Sequence, residues 1–81
     1  MMYTEVTIPC EVTNRYVYSI VYKAKNLSVD CYIRFKDRQV YAQSILGILS
    51  LDLHKGDKIE VIAYTEDSCD LQSLFTGDDE R

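Results

Sequence analysis

The stretch from Val29 to Ala42, VDCYIRFKDRQVYA, decides how the rest of the chain is read. Val29, Cys31, Ile33 and Phe35 alternate with Asp30, Tyr32 and Arg34. A period of two turns one set toward a core and the other toward solvent, which makes this a half-buried strand. Lys36-Asp37 supplies a tight turn, and Val40 with Ala42 marks a returning strand. A hairpin therefore lies near the middle of the chain, and the elements on either side of it settle the fold class.

Upstream, Val17, Ile20, Val21 and Ala24 fall at i, i+3, i+4 and i+7. That is one face of a helix from about Arg15 to Lys25, with Thr13 or Asn14 placed to cap it. Tyr16, Tyr18 and Tyr22 lie off the stripe. Further upstream, Thr4, Val6 and Ile8 alternate until Pro9 ends a short strand. Downstream, Ser44 can cap a short helix reaching about Leu51. Lys55-Gly56-Asp57 is a turn. Ile59, Val61 and Ala63 mark another strand, with Lys58 and Glu60 facing out. Asp67 or Ser68 is placed to cap a last helix carrying Leu71, Leu74 and Phe75. The order is β-α-β-β-α-β-α. It predicts an α+β layer fold, one antiparallel sheet with helices on one face and water on the other.

The chain has 81 residues, so residues 1–81 are expected to form one domain, with the acidic tail from about Gly77 frayed. A hydrophobic share of 47% against 27% charged is globular rather than disordered. The net charge of −4 speaks against direct nucleic-acid binding, which needs a basic face. No basic amphipathic helix is present to hold a membrane surface. The start, MMYTEVTIPCEV, lacks the basic and apolar blocks of a signal peptide, so a cytoplasmic location is expected. Cys10, Cys31 and Cys69 are odd in number and form no C-x-x-C pair, which reads as reduced thiols. Asn26-Leu27-Ser28 fits the glycosylation pattern, a chance match in a protein that is not secreted.

No catalytic constellation stands out. His54 has no oriented partner in its loop, and Glu66, Asp67 and Asp70 suit a solvated helix start. The three cysteines and His54 are too scattered for a zinc site, so neither metal nor cofactor is expected. With three glycines there is no phosphate-binding loop, and an enzyme is not expected. Ser44 differs from these. A helix-capping serine has its oxygen at free backbone N–H groups, where a phosphate is also well received. Beyond it, helical geometry puts Ile48 and Leu51 on the face of Ser44, with Leu46 and Leu49 displaced and Ile45 beside them. Those displaced residues are either covered by a loop or form a docking patch.

The segment Gln43 to Glu60, QSILGILSLDLHKGDKIE, resembles the histidine-containing phosphocarrier (HPr) family of the bacterial sugar phosphotransferase system. The family pattern there is close to KSIMGIMSLGIKKGDEI. The resemblance spans nearly the whole chain without gaps and implies that family's open-faced β-sandwich. The family's other motif, G-[LI]-H-A-R-P-A, falls on Glu11 to Val17. Arg15 matches its arginine, while Thr13 stands at the phosphohistidine position, Glu11 at the glycine and Tyr16 at the proline. A threonine ester lacks the transfer potential of a phosphoramidate, so sugar-transport phosphotransfer is not expected. What the resemblance leaves is the family's second role, closest in logic to the catabolite-repression HPr homologues, which lack the histidine. There an HPr kinase/phosphorylase modifies the serine matching Ser44, and the product binds a catabolite-repression transcriptional regulator. Arg15, Ile45, Leu46 and Leu49 match partner-facing positions, and Gln43 replaces a lysine often found before the serine. An unphosphorylated binding module is the second expectation, as a monomer or weak dimer.

Overall fold

The computed structural model describes residues 1–27, 29–65 and 71–75. Its elements are β1 (Met2–Thr7), α1 (Asn14–Lys25), β2 (Cys31–Phe35), β3 (Arg38–Tyr41), α2 (Ile45–Ser50) and β4 (Lys58–Ala63). A 3-10 turn, Gln72–Leu74, closes the described chain. The strands form one sheet in the order β1-β4-β2-β3, with every neighbour antiparallel. β1 and β2 therefore run parallel with β4 between them, and β3 and β4 run parallel with β2 between them. The fold is two β-α-β units, each split by a strand of the other.

Both helices lie on one face of this sheet. Val17, Ile20, Val21 and Ala24 of α1 and Ile48 of α2 share a core with Val6, Ile33, Ile59, Val61 and Ala63 of the strands. The residues with period 3.6 meet those with period 2, and no described polar or charged residue is buried. Burying each large aliphatic side chain contributes about 1.5–3 kcal/mol, so these stripes drive the layering. Lys23 and Lys25 sit in the last turn of α1, where a cation suits the helix dipole.

The expected α+β class and element order are present, with local corrections. β1 begins at Met2 and ends at Thr7, because six of its residues find partners on β4 from Ala63 back to Lys58. Ile8 continues the contact outside the strand, donating its N–H to Asp57 and accepting from Gly56. β2 starts at Cys31 rather than Val29. Phe35 pairs with Arg38, so Lys36-Asp37 is a two-residue turn, with Lys36 at φ 59°. The last helix appears among the described residues only as the 3-10 turn. Its expected caps, Asp67 and Ser68, lie outside the described residues, as do Glu66, Asp70 and the acidic tail from Gly77. The outer face of the sheet is not uniformly polar. Ile62 points there and is 2% exposed, flanked by Tyr3 and Tyr32 on the neighbouring strands.

Candidate functional site

Two helix starts build the site. Thr13 is the N-cap of α1, and its Oγ1 accepts from the N–H of Tyr16 at 3.1 Å. Ser44 is the N-cap of α2, and its Oγ accepts from the N–H of Gly47 at 3.0 Å. Each hydroxyl thus satisfies one of the amide groups that a helix start leaves open. Gly47 has a packing reason as well. An added Cβ would lie 3.0 Å from Ser44 Oγ and 3.1 Å from Val40 Cβ. A side chain there would have to push the capping serine or Val40 of β3 aside by a few tenths of an ångström.

α2 divides its apolar residues as helical geometry requires. Ile48 and the following Leu51 are buried, and Ile45 is half-buried against the core. Leu46 is 79% exposed and Leu49 42% exposed, so no loop covers them. Arg15 is exposed in the first turn of α1 and makes no ion pair among the described residues. α1 packs against α2, which puts Thr13, Arg15 and the Ser44 segment on one layer of the molecule.

Arg38 anchors the other end of α2, a role that sequence spacing does not disclose. Its Nη1 donates to the carbonyl of Ser50 at 2.7 Å and its Nη2 to Ser50 Oγ at 3.0 Å. Ser50 Oγ in turn donates to the carbonyl of Gly47 at 2.6 Å. A cation at a helix C-terminus satisfies open carbonyls and complements the dipole.

His54 is exposed, as expected of a loop histidine, but it is not without neighbours. Its ring lies between Asp52 Oδ1 at 3.8 Å and Asp57 Oδ2 at 3.9 Å. The Asp57 carboxylate also accepts from the His54 backbone N–H at 2.8 Å, which fixes the turn. His54 lines a shallow depression with Glu11, Val12, Asp52, Leu53 and Lys55, beside the start of α1. Tyr16, expected off the apolar stripe, is half-buried, and its hydroxyl donates to the carbonyl of Phe75 at 2.6 Å. Tyr18 and Tyr22 remain exposed. Neither Cys10 nor Cys31 is in a disulfide, and Cys69 lies outside the described residues. Among the described residues no group of three or more His, Cys, Asp or Glu side chains is placed to hold a metal. No described helix is long and apolar enough to cross a membrane.

Residues 3–73 match the family of the phosphotransferase-system HPr component, described by its phosphorylation site. The chain belongs to the HPr family. Members of the HPr family are phosphocarriers rather than catalysts, and they interact with proteins of the phosphotransferase system. No curated protein matches the sequence. Among solved structures, HPr-C-His from Thermoanaerobacter tengcongensis is 25% identical. It aligns with a TM-score of 0.77 over 83% of this chain and 78% of its own. The phosphocarrier protein HPr from Bacillus anthracis str. Ames gives a TM-score of 0.74 at 23% identity, over 90% of this chain and 86% of that one. The histidine-containing phosphocarrier protein of a Mycoplasma gives 0.70 at 18% identity, over 91% and 83%. The HPr fold, with its open sheet face, is thus this chain's fold.

Proposed function

We propose that this chain is an HPr-like regulatory protein that does not carry phosphate to sugar. It acts in carbon catabolite regulation through phosphorylation of Ser44 and docking by Arg15, Ile45, Leu46 and Leu49. The observation that carries this reading is the division of α2: a capping serine at its front and two exposed leucines beside it. At the phosphohistidine position, Thr13 has only a hydroxyl, which is engaged as the α1 cap. Carrier chemistry needs an imidazole that handles protons near neutrality. On Ser44, phosphate oxygens can take over acceptance from the Gly47 amide that the hydroxyl now satisfies, so modification and helix are compatible. The partners are an HPr kinase/phosphorylase and a catabolite-repression regulator, and the protein works in the cytoplasm.

Incubation with an HPr kinase and ATP is the test. One phosphate on Ser44, absent in Ser44→Ala, supports the reading; an unlabelled protein sinks it. Phosphoenolpyruvate with the upstream transfer enzymes is expected to leave Thr13 and His54 unlabelled. The exposed Tyr18 and Tyr22 favour a second reading, a binding module that works unphosphorylated, since tyrosine suits interfaces. It predicts a partner that binds the Ser44→Ala variant as well as the wild type.

A further inference from the structure

Gly47 sits at the middle of α2, and both its polar groups are held by serines. Its N–H donates to Ser44 Oγ at 3.0 Å. Its carbonyl accepts from Ser50 Oγ at 2.6 Å. The ordinary helical donor to that carbonyl is the N–H of Leu51, which goes to the Ile48 carbonyl instead. The Ser50 hydroxyl therefore stands in for a missing rung. Ser50 is in turn held twice by Arg38, whose Nη1 donates to its carbonyl at 2.7 Å and whose Nη2 donates to its Oγ at 3.0 Å.

Proton bookkeeping gives this line a direction. A guanidinium can only donate, so Ser50 Oγ accepts from Arg38 and spends its own proton on the Gly47 carbonyl. At the far end, Ser44 Oγ accepts from Gly47, so its own proton is not spent on the cap. Asp37 and Asp52 line the same depression as Arg38, yet Arg38 makes no ion pair with either among the described residues. Its donors go to α2. Val40, two residues along β3, lies against Gly47 from the same strand. A helix of six residues does not hold its own ends, so β3 fixes how α2 is presented.

We propose that Arg38 is a positioning residue for Ser44: through Ser50 and Gly47 it holds the serine hydroxyl, with Leu46 and Leu49, in the geometry a serine kinase takes up. The proposal rests on the reading of Ser44 as the modified residue. In that reaction Ser44 Oγ bonds to the γ-phosphorus of ATP, and the bond from that phosphorus to the ADP oxygen breaks. The hydroxyl proton passes to a base of the kinase. Arg38 acts through α2 and takes no part in these steps. Without it, α2 spends only a fraction of its time in the competent geometry. Apparent affinity for the kinase falls by that fraction, while the rate at saturation is kept.

Steady-state phosphorylation of the full chain by an HPr kinase with ATP tests it. Arg38→Met keeps an apolar stem and drops the guanidinium. Its KM is expected to rise about five-fold or more with kcat unchanged. Arg38→Lys keeps the charge but cannot serve both Ser50 oxygens in the same fork, so its KM rises too. Ser50→Ala also raises KM, and adding it to Arg38→Met changes little, because both cut one line of contacts. Ile59→Val, a core residue trimmed on β4, lowers the urea midpoint and leaves KM alone. Amide exchange in Arg38→Met speeds more at Ile48 of α2 than at Val61 of β4. An unlabelled wild type overturns the reading of Ser44, and the role of Arg38 with it. A labelled wild type overturns the role of Arg38 alone if Arg38→Met or Arg38→Lys keeps the wild-type KM, or if the losses in the double variant are fully additive.

Discussion

Tyr16 ties together segments 59 residues apart, through its hydroxyl and the Phe75 carbonyl. Burial, with the Cys10 thiol beside it, pushes its pKa above the ordinary value near 10. The folded state then holds the phenolic proton more tightly than the unfolded chain does. That contribution is complete below pH 10 and is lost as the pH climbs beyond it. Tyr16→Phe is expected to cost about 1 kcal/mol at neutral pH, the lost hydrogen bond. In urea titrations the gap to wild type should hold from about pH 8 to about pH 10 and shrink from there to about pH 12. A constant gap would remove the linkage. Asp52 is the second informative residue. It follows the C-cap of α2 at φ 54°, where glycine is usually found, and its charge lies at the unfavourable end of the dipole. Asp52→Gly should raise stability by about 0.5–1 kcal/mol, read as a shift in the urea midpoint. A lower midpoint would mean that the contact with His54 outweighs the strain.

At the scale of the element, α2 is too short to persist alone and depends on what holds its two ends. Ser44 and Arg38 do so from opposite sides. Ser44→Ala should cost about 1 kcal/mol, whereas Ser44→Asp should keep most of the stability, because a carboxylate also accepts at a helix start. Equal midpoints for Ser44→Ala and the wild type would show that the cap is idle. Half of this arrangement is legible in the sequence. A serine ahead of an apolar run is a local signal, and the 100° step between residues sorts Ile48 from Leu46 without any structure. The Arg38 contact is not local. It depends on β3 lying beside the end of α2, which spacing along the chain does not encode. Thr13 was legible as a cap, but the inward turn of Tyr16 was not, since its partner is a backbone carbonyl near the far end of the described chain. The flanking carboxylates of His54 were also hidden, because Asp57 reaches it only through the turn at Gly56, and Asp52 only through the positive-φ bend that follows α2.

For the molecule as a whole, the periods of two and 3.6 disclosed which side of each element faces inward, but not the neighbours of each strand. Alternation marks Ile62 as outward, and only register shows it between Tyr3 and Tyr32, where an apolar residue can be covered on an open face. The same limit applies at the end of the described chain. Leu71, Leu74 and Phe75 read as one helical face, yet what they do is seal the core against α1. Phe75 is fully buried, and Lys23 Nζ donates to the carbonyl of Ser73 at 3.3 Å, beside the Tyr16 contact. An 81-residue domain has little stability to spare. Phe75→Ala opens a cavity and is expected to cost about 3–5 kcal/mol, much of the about 5–15 kcal/mol typical of a folded domain. Leu46→Ala, at a residue that is 79% exposed, should stay within about 0.5 kcal/mol of wild type. Thermal unfolding of the two variants distinguishes core from docking surface. If Leu46→Ala loses as much as Phe75→Ala, Leu46 belongs to the core and the exposed patch on α2 does not exist in solution. If Phe75→Ala is neutral, the 3-10 turn is an appendage, and the two interleaved β-α-β units close the core without it.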